Sequence, residues 1–314
     1  MKDLLRTEHL SRADVELLLS TAAEFAEKPL RSNTALANKT VAIYMTKPST
    51  RTRLASETAV VHLGGTPIFI RGEDLQLGRG ETISDTAKII SGYASALIVR
   101  TFAQSDVDEL GANSSIPVIN ALTDVDHPTQ LLADWLTIRE NFGKDITGRK
   151  FVYLGDGNNM SHAWLIMGAI MGAHVVAATP GGKWAPDPIV VEVAKNIASQ
   201  NGGRVELSND PEAAARDASV LYTDVWMSMG DSESDRTEKT RSLSPFSVNE
   251  QLMKLTAKDS IFMHCLPAHR DEEVSASVID GPRSVVWREA FHRRTTIQAI
   301  LYHLVRGDLE GSTR

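Results

Sequence analysis

The run Ser49-Thr50-Arg51-Thr52-Arg53 has the composition of an anion-binding site. It follows a short apolar segment at residues 41–45, typical of a buried strand, and it precedes a predicted helix. Ser49 and Thr50 stand where helix N-caps occur, and the amides of a first helical turn have no partner inside the helix. Together with two hydroxyls and two guanidinium groups, these amides favour binding of a phosphate. Taken alone, the run is explained equally well as a capped helix with surface arginines.

Two further segments carry polar side chains just after predicted strands. Arg100 follows the strand predicted at residues 96–99, and His127 and Gln130 follow the one predicted at 117–121. In α/β proteins, ligands bind beyond the carboxyl ends of the parallel strands, where side chains from several strands meet. A lone histidine at a helix start usually caps or packs. Beside two arginine-bearing strand ends, His127 becomes a candidate ligand for a carbonyl oxygen.

These motifs resemble those of the aspartate/ornithine carbamoyltransferase family, and the resemblance extends from about Leu10 to Leu304. Four further runs resemble the ornithine branch of the family: Gln76-Leu77-Gly78-Arg79-Gly80-Glu81, Tyr153-Leu154-Gly155-Asp156-Gly157-Asn158-Asn159, Asp224-Val225-Trp226-Met227-Ser228-Met229-Gly230 and His264-Cys265-Leu266-Pro267-Ala268-His269. The resemblance implies transfer of a carbamoyl group from carbamoyl phosphate to the δ-amine of ornithine, giving citrulline and phosphate. It implies no cofactor.

The resemblance also implies a carbamoyl phosphate site, with Arg51, Arg100, His127 and Cys265 as its catalytic residues. The implied carbamoyl phosphate contacts are Ser49, Thr50, Arg51, Thr52, Gln76, Arg100, His127, Gln130, Cys265, Leu266 and Arg293. Gln76 is expected to come from a neighbouring subunit, which implies a homotrimer or an assembly of trimers.

The implied ornithine contacts lie in the second half of the chain, at Asn159, Asp224, Ser228 and Met229. They are expected to hold the α-amino and α-carboxylate groups of the amino acid. Cys265 is expected near the attacking amine, and no feature of the sequence favours it as a covalent nucleophile. A small apolar filler is the ordinary role of a buried cysteine.

The run Phe291-His292-Arg293-Arg294 departs from the family pattern, which has an acidic residue and an asparagine before its arginine. Arg293 falls at the position of the family arginine, and Arg294 is its neighbour. The changed flanks leave other amine acceptors open, namely putrescine, N-acetylornithine or a shorter diamino acid. Asp224 and the pair Ser228 and Met229 favour an acceptor with a free α-amino acid group.

Strand-like and helix-like segments alternate along the whole chain, which predicts an α/β fold with parallel sheets covered by helices on both faces. A chain of 314 residues exceeds one ordinary core, so two doubly wound domains are expected. The predicted divisions are 1–142 for carbamoyl phosphate, 143–290 for ornithine, and 291–314 as a C-terminal helix returning to the first domain. A strand is predicted at 285–287 and an exposed loop at 230–240, which could close over ornithine.

Composition and motif spacing argue against several other classes of protein. The net charge of −7 argues against a general nucleic-acid or membrane surface, and a single cysteine fits a reducing, cytoplasmic location. Histidine and cysteine spacing predicts no metal site. The run after residue 154 resembles a dinucleotide fingerprint, but Met160 stands where the third glycine belongs. A non-catalytic paralogue is expected to lose polar site residues, whereas all of them are present here.

Overall fold

The computed structural model describes residues 1–28, 34–77, 80–227 and 236–311. The chain forms two compact units. The first comprises Met1–Leu136 with Ala290–Arg314, and the second comprises Thr137–Glu289. Each unit is built on one parallel sheet flanked by helices, as the alternation of segments predicts.

The sheet of the first unit has four parallel strands in the order β2-β1-β3-β4. The strands are β1 (Thr40–Met45), β2 (Thr66–Arg71), β3 (Ala96–Arg100) and β4 (Val118–Leu122). The helices that begin in this unit are α1 (Arg12–Glu27), α2 (Thr50–His62), α3 (Ile83–Tyr93), α4 (Gln104–Asn113) and α5 (Pro128–Phe142). Strand β3 is buried at every position, as expected of a central strand covered on both faces.

Local sequence signals set several helix ends in this unit. Ser11 caps α1 in a capping box with Asp14, and Ser49 caps α2 by accepting a hydrogen bond from the Thr52 amide. The register between β3 and β4 shifts between Val99 and Arg100, an irregularity of the kind that redirects a side chain at the end of a strand.

The sheet of the second unit has five parallel strands in the order β7-β6-β5-β8-β9. The strands are β5 (Lys150–Leu154), β6 (His174–Ala178), β7 (Arg204–Ser208), β8 (Ala218–Thr223) and β9 (Ile261–His264). The helices are α6 (Asn159–Ile170), α7 (Pro188–Asn201), α8 (Pro211–Ala215), α9 (Arg236–Leu243), α10 (Glu250–Leu255) and α11 (Ala276–Ile279). Its apolar core includes Val152, Leu221 and Phe262 from three adjacent strands.

The last helix, α12 (Val286–Arg306), overturns one prediction and confirms another. The strand predicted at 285–287 is wrong, because helix α12 begins at Val286 and only Ser284 forms a bridge to β9. Three apolar residues cannot distinguish a strand from a first helical turn. The predicted return of the C-terminal helix to the first unit is confirmed, since that unit includes Ala290–Arg314.

The loop predicted at 230–240 is partly wrong. Residues 228–235 lie outside the described part of the chain, but Arg236–Leu243 form helix α9. Lys239 is buried there and pairs with Asp156 at 2.6 Å. The polar composition of this segment predicted that all of it is exposed. The long-range ion pair between Lys239 and Asp156 instead packs the helix against the rest of the second unit.

Candidate active site

The candidate anion site lies where the strand order of the first sheet reverses, between β1 and β3. Ligands of doubly wound sheets bind at such a point. The loop after β1 leads into Ser49, whose Oγ accepts from the Thr52 amide at 3.3 Å. Thr50 and Arg51 fill the next positions of α2, with Thr50 exposed and Arg51 half-buried. The loop thus presents the N-terminus of a thirteen-residue helix.

Buried Thr52 joins two arginines that are far apart in the sequence. Its Oγ1 accepts from Arg100 Nη1 at 3.3 Å and from Arg293 Nη2 at 3.2 Å. Arg100 ends β3, and Arg293 comes from α12. Both arginines are nearly buried, at 9% and 3% exposure. Two guanidinium groups that converge on one buried hydroxyl supply the N–H donors that an anion such as phosphate requires.

Gln130 is fixed at both ends of its amide. Its Oε1 accepts from Arg293 Nη1 at 2.6 Å, and its Nε2 donates to Asp134 Oδ1 at 2.8 Å. All three side chains are buried. The two contacts assign which end of the amide is oxygen, so Gln130 presents a defined acceptor.

His127 is buried beside three cations of the site. Burial lowers its pKa well below the usual 6.5, and Arg293, Arg100 and Arg51 lower it further. The imidazole is therefore neutral at neutral pH and can donate only one ring N–H. Its backbone amide donates to Asp126 at 2.7 Å, and burial raises the pKa of that carboxyl to about 6.

The second group of candidate residues lies at the reversal of strand order in the second sheet, between β5 and β8. Asp224 follows β8 and is nearly buried. One of its oxygens accepts from Cys265 Sγ at 2.9 Å, and the other accepts from Asn158 Nδ2 at 3.3 Å. Asn159, half-buried, is the first residue of α6. A carboxylate held this way is suited to an ammonium group.

Cys265 and Leu266 follow β9 and are both half-buried. The Leu266 backbone has φ +57°, and its amide donates to His264 Nδ1 at 2.9 Å. The Cys265 thiol donates to the Asp224 carboxylate, so the structure favours a hydrogen-bonding role over a nucleophilic one.

Two of the implied ornithine contacts, Ser228 and Met229, lie outside the described residues, as do Gly78 and Arg79 of the run that begins at Gln76. Gln76 itself is exposed on the first unit. The remaining candidates form one group within each unit. In the first unit hydrogen bonds join Thr52, Arg100, Gln130 and Arg293, and His127 lies within electrostatic range of Arg51, Arg100 and Arg293.

Sequence reasoning missed three residues that contact these groups or lie near them. Asp134 binds the Gln130 amide, and its position four residues later on the same helix was an available signal. Asn158 contacts Asp224, although Asn159 was the residue singled out. Lys47 is buried with its Nζ 3.2 Å from the centre of the Phe102 ring, and burial and Arg100 lower its pKa. Nothing in the local sequence indicates that Lys47 is buried.

A group of potential metal ligands and a glycine-containing loop among the described residues bear on the metal and dinucleotide alternatives. Asp224, His264 and Cys265 lie close enough to share an ion, but their donor atoms already make protein hydrogen bonds. A Cβ at Gly157 would lie 2.2 Å from the Ala185 backbone, so another segment already occupies the space beside this loop. Asp156 is held in the pair with Lys239. In the described residues no helix is long and apolar enough to cross a membrane.

Comparison with known proteins gives consistent matches over nearly the whole chain. Residues 2–140 match the family model "Aspartate/ornithine carbamoyltransferase, carbamoyl-P binding domain", and 147–304 match the "Asp/Orn binding domain". The ornithine carbamoyltransferase of Pyrococcus horikoshii is 46% identical over 98% of this chain and 96% of its own length. That of Anoxybacillus flavithermus is 46% identical over 97% of this chain and 96% of its own length. The solved structure of the Pyrococcus furiosus ornithine carbamoyltransferase superposes with a TM-score of 0.92 at 45% identity, covering 98% of each chain.

Proposed function

This chain belongs to the aspartate/ornithine carbamoyltransferase family, and we propose that it transfers the carbamoyl group of carbamoyl phosphate to the δ-amine of L-ornithine. The products are L-citrulline and phosphate, a step of arginine metabolism. The observation that carries the proposal is the buried group of Arg100, Arg293 and Thr52 beside a helix N-terminus. These donors suit a phosphate, and the relatives of the chain are named ornithine carbamoyltransferases. Those names favour ornithine over putrescine, N-acetylornithine or a shorter diamino acid.

Carbamoyl phosphate binds to the first unit in this proposal. The phosphate lies at the N-terminus of α2, held by the backbone and side chains of Ser49, Thr50, Arg51 and Thr52. Arginine suits this role because its fork of N–H donors matches two phosphate oxygens at once. Arg293 and Arg100 add charge from the other side of Thr52.

The carbonyl oxygen of the donor becomes negatively charged when the amine attacks. Arg100, His127 and Thr52 supply donors for this oxygen, and loss of one such donor typically costs about 10²–10³ in rate. His127 suits the role as a neutral donor, because its lowered pKa keeps the ring uncharged. Gln130 accepts from the carbamoyl NH₂ with its oriented oxygen, and the backbone carbonyls of Cys265 and Leu266 assist.

Ornithine binds to the second unit through Asp224, Asn159, Ser228 and Met229 in this proposal. Its side-chain amine must lose a proton before attack, and an alkylammonium has a pKa of about 10.4 in water. The cations Arg51 and Arg100 favour loss of the first proton to solvent by repulsion. The nitrogen loses a second proton after it has attacked, and the departing phosphate can accept that one. The arrangement therefore needs no separate general base.

We also propose the domain boundaries of the chain and its assembly into trimers. Residues 1–142 form the carbamoyl-phosphate-binding domain, 143–290 the ornithine-binding domain, and 291–314 the segment that returns to the first. The two matched family models, over 2–140 and 147–304, support the proposed division near residue 143. The proposed assembly is a cytoplasmic homotrimer, or a larger assembly of trimers, in which Gln76 reaches a neighbouring subunit.

The deciding experiment is citrulline formation by the purified protein from carbamoyl phosphate and ornithine. A parallel panel replaces ornithine with putrescine, N-acetylornithine and a shorter diamino acid at equal concentration. We expect ornithine to give the highest kcat/KM. Activity with another amine and none with ornithine would move the chain to a different acceptor class.

Substitution of Asp224 separates the two substrate sites. We expect Asp224→Ala to raise the KM for ornithine far more than the KM for carbamoyl phosphate, because an ammonium group loses its carboxylate partner. The opposite order of effects would remove Asp224 from the amino-acid site.

A further inference from the structure

His264, the last residue of β9, is fully buried and uses both ring nitrogens within its own unit. Its Nδ1 accepts from the Leu266 amide at 2.9 Å. A nitrogen that accepts a hydrogen bond carries no proton, so the ring proton lies on Nε2. The Nε2 atom lies 3.2 Å from Glu273 Oε1 and donates to it.

Glu273 is also fully buried and lies at the far end of the loop that follows His264. The carboxyl oxygen that accepts from His264 also accepts from the backbone amide of His269. The Glu273 carbonyl accepts from the Val248 amide at 2.9 Å, which ties the far end of the loop to a separate segment. A carboxyl group is costly to bury, so its two donors make this pair a specific structural element.

Leu266, the residue that the imidazole holds, has an unusual backbone. Its φ of +57° lies in the left-handed region, which is unfavourable for a residue with a Cβ. The hydrogen bond from its amide to His264 compensates part of that cost, and its side chain packs against the core of the unit. Without the bond, we expect the peptide groups on either side of Leu266 to change direction.

We propose that His264 and Glu273 are positioning residues that hold the backbone carbonyls of Cys265 and Leu266 in the orientation required for the carbamoyl group. The proposal rests on the proposed function, which assigns those two carbonyls to the carbamoyl NH₂. Glu273 and the Leu266 amide together favour the Nε2-protonated tautomer of His264, and His264 in turn fixes the Leu266 amide. Neither side chain contacts a substrate in this arrangement.

The test compares His264→Ala, Glu273→Ala and Glu273→Gln in the full-length protein. His264→Ala and Glu273→Ala are each expected to lower kcat about 10²-fold, the cost of misplacing a contact by about 1 Å. The double variant is expected to lose no more than either single variant, because the two side chains act as one unit. Glu273→Gln keeps an acceptor for His264 and is expected to stay within about threefold of wild type.

Two readouts separate positioning from a general loss of structure. The inhibition constant of inorganic phosphate against carbamoyl phosphate should not change, because phosphate binds in the first unit. Long-range ¹H–¹⁵N spectra should show His264 protonated on Nε2 in the wild type and in Glu273→Gln, and a tautomer mixture in Glu273→Ala. If His264→Ala does not fold, the two Glu273 variants complete the test.

The chain offers a matched control in His174→Ala. His174 Nε2 lies 3.1 Å from Glu206 Oε2, the same kind of pair at the other edge of the same sheet. This variant should keep wild-type kcat. A Glu273→Ala enzyme with wild-type kcat, or additive losses in the double variant, would overturn the proposal. A wild-type protein that forms no citrulline would refute the proposed function, whereas the tautomer spectra would still test the pair.

Discussion

Arg51 and Arg53 stand two positions apart at one helix start, yet their surroundings give them different roles. Arg51 is half-buried and lowers the pKa of His127, whereas Arg53 is exposed, pairs with Glu57 at 2.9 Å and lies over the Phe69 ring. We expect Arg51→Ala to keep the fold and to lower kcat/KM for carbamoyl phosphate about 10²–10⁴-fold, the value of a charged two-pronged contact.

Arg53→Ala is the control for that substitution. It should change kcat/KM only slightly, because Arg53 pairs with Glu57 on the surface and such exposed pairs contribute little to stability. Steady-state kinetics with carbamoyl phosphate as the varied substrate measure both variants. Near-normal turnover in Arg51→Ala would remove this arginine from the phosphate site.

His127 gives a prediction about pH. Its pKa is lowered well below 6.5 by burial and then by Arg293, Arg100 and Arg51, so the folded protein resists protonation of this ring. The unfolded chain takes up that proton near pH 6.5, and the stability that neutral His127 contributes above this pH is lost as the pH falls below it. We expect the NMR signal of His127, assigned with a His127→Asn variant, to stay constant from about pH 8 to pH 6. A titration centred near pH 6.5 would contradict this.

At the scale of the elements, the parallel sheets and nearly all long helices could be predicted from the alternation of apolar segments. The positions of the candidate residues followed from the same pattern, since Arg100 ends a strand and Thr52, Gln130 and Asp224 come after strands. The strand at 285–287 failed because three apolar residues carry no period. The prediction of an exposed loop at 230–240 failed in the part that forms α9, because the packing of this helix depends on Asp156, a partner distant in the sequence.

The ion pair that positions α9 can be tested directly. Lys239 and Asp156 side chains are only 3% and 11% exposed, so removing one charge leaves the other buried without its partner. We expect Lys239→Met to lower the free energy of unfolding by about 3–5 kcal/mol. Urea unfolding followed by circular dichroism measures the change.

Lys183→Met is the matched control for that measurement. Lys183 pairs with Glu238 of the same helix at 2.7 Å, but both side chains are about half exposed. Its removal should therefore cost no more than about 1 kcal/mol. Equal losses in the two lysine variants would show that burial of the Asp156 pair contributes nothing.

At the scale of the whole molecule, the proposed homotrimer predicts that two inactive variants can restore each other. Gln76 is exposed on the first unit and is proposed to complete the site of a neighbouring subunit, whereas Arg51 is proposed to bind in the site of its own subunit. Arg51→Ala and Gln76→Ala trimers should each be strongly impaired. A mixed trimer has one interface where an intact Arg51 meets an intact Gln76.

Random exchange of equal amounts of the two variants should therefore restore about one quarter of wild-type activity, because three quarters of the trimers are mixed and each has one complete site in three. Native mass spectrometry confirms the exchange. Mixing Arg51→Ala with Arg100→Ala is the control and should restore nothing, since both arginines come from the same subunit of each site. Exchanged trimers of Arg51→Ala and Gln76→Ala that stay inactive would place Gln76 outside the neighbouring site, because a shared site must recover whenever one interface retains both residues.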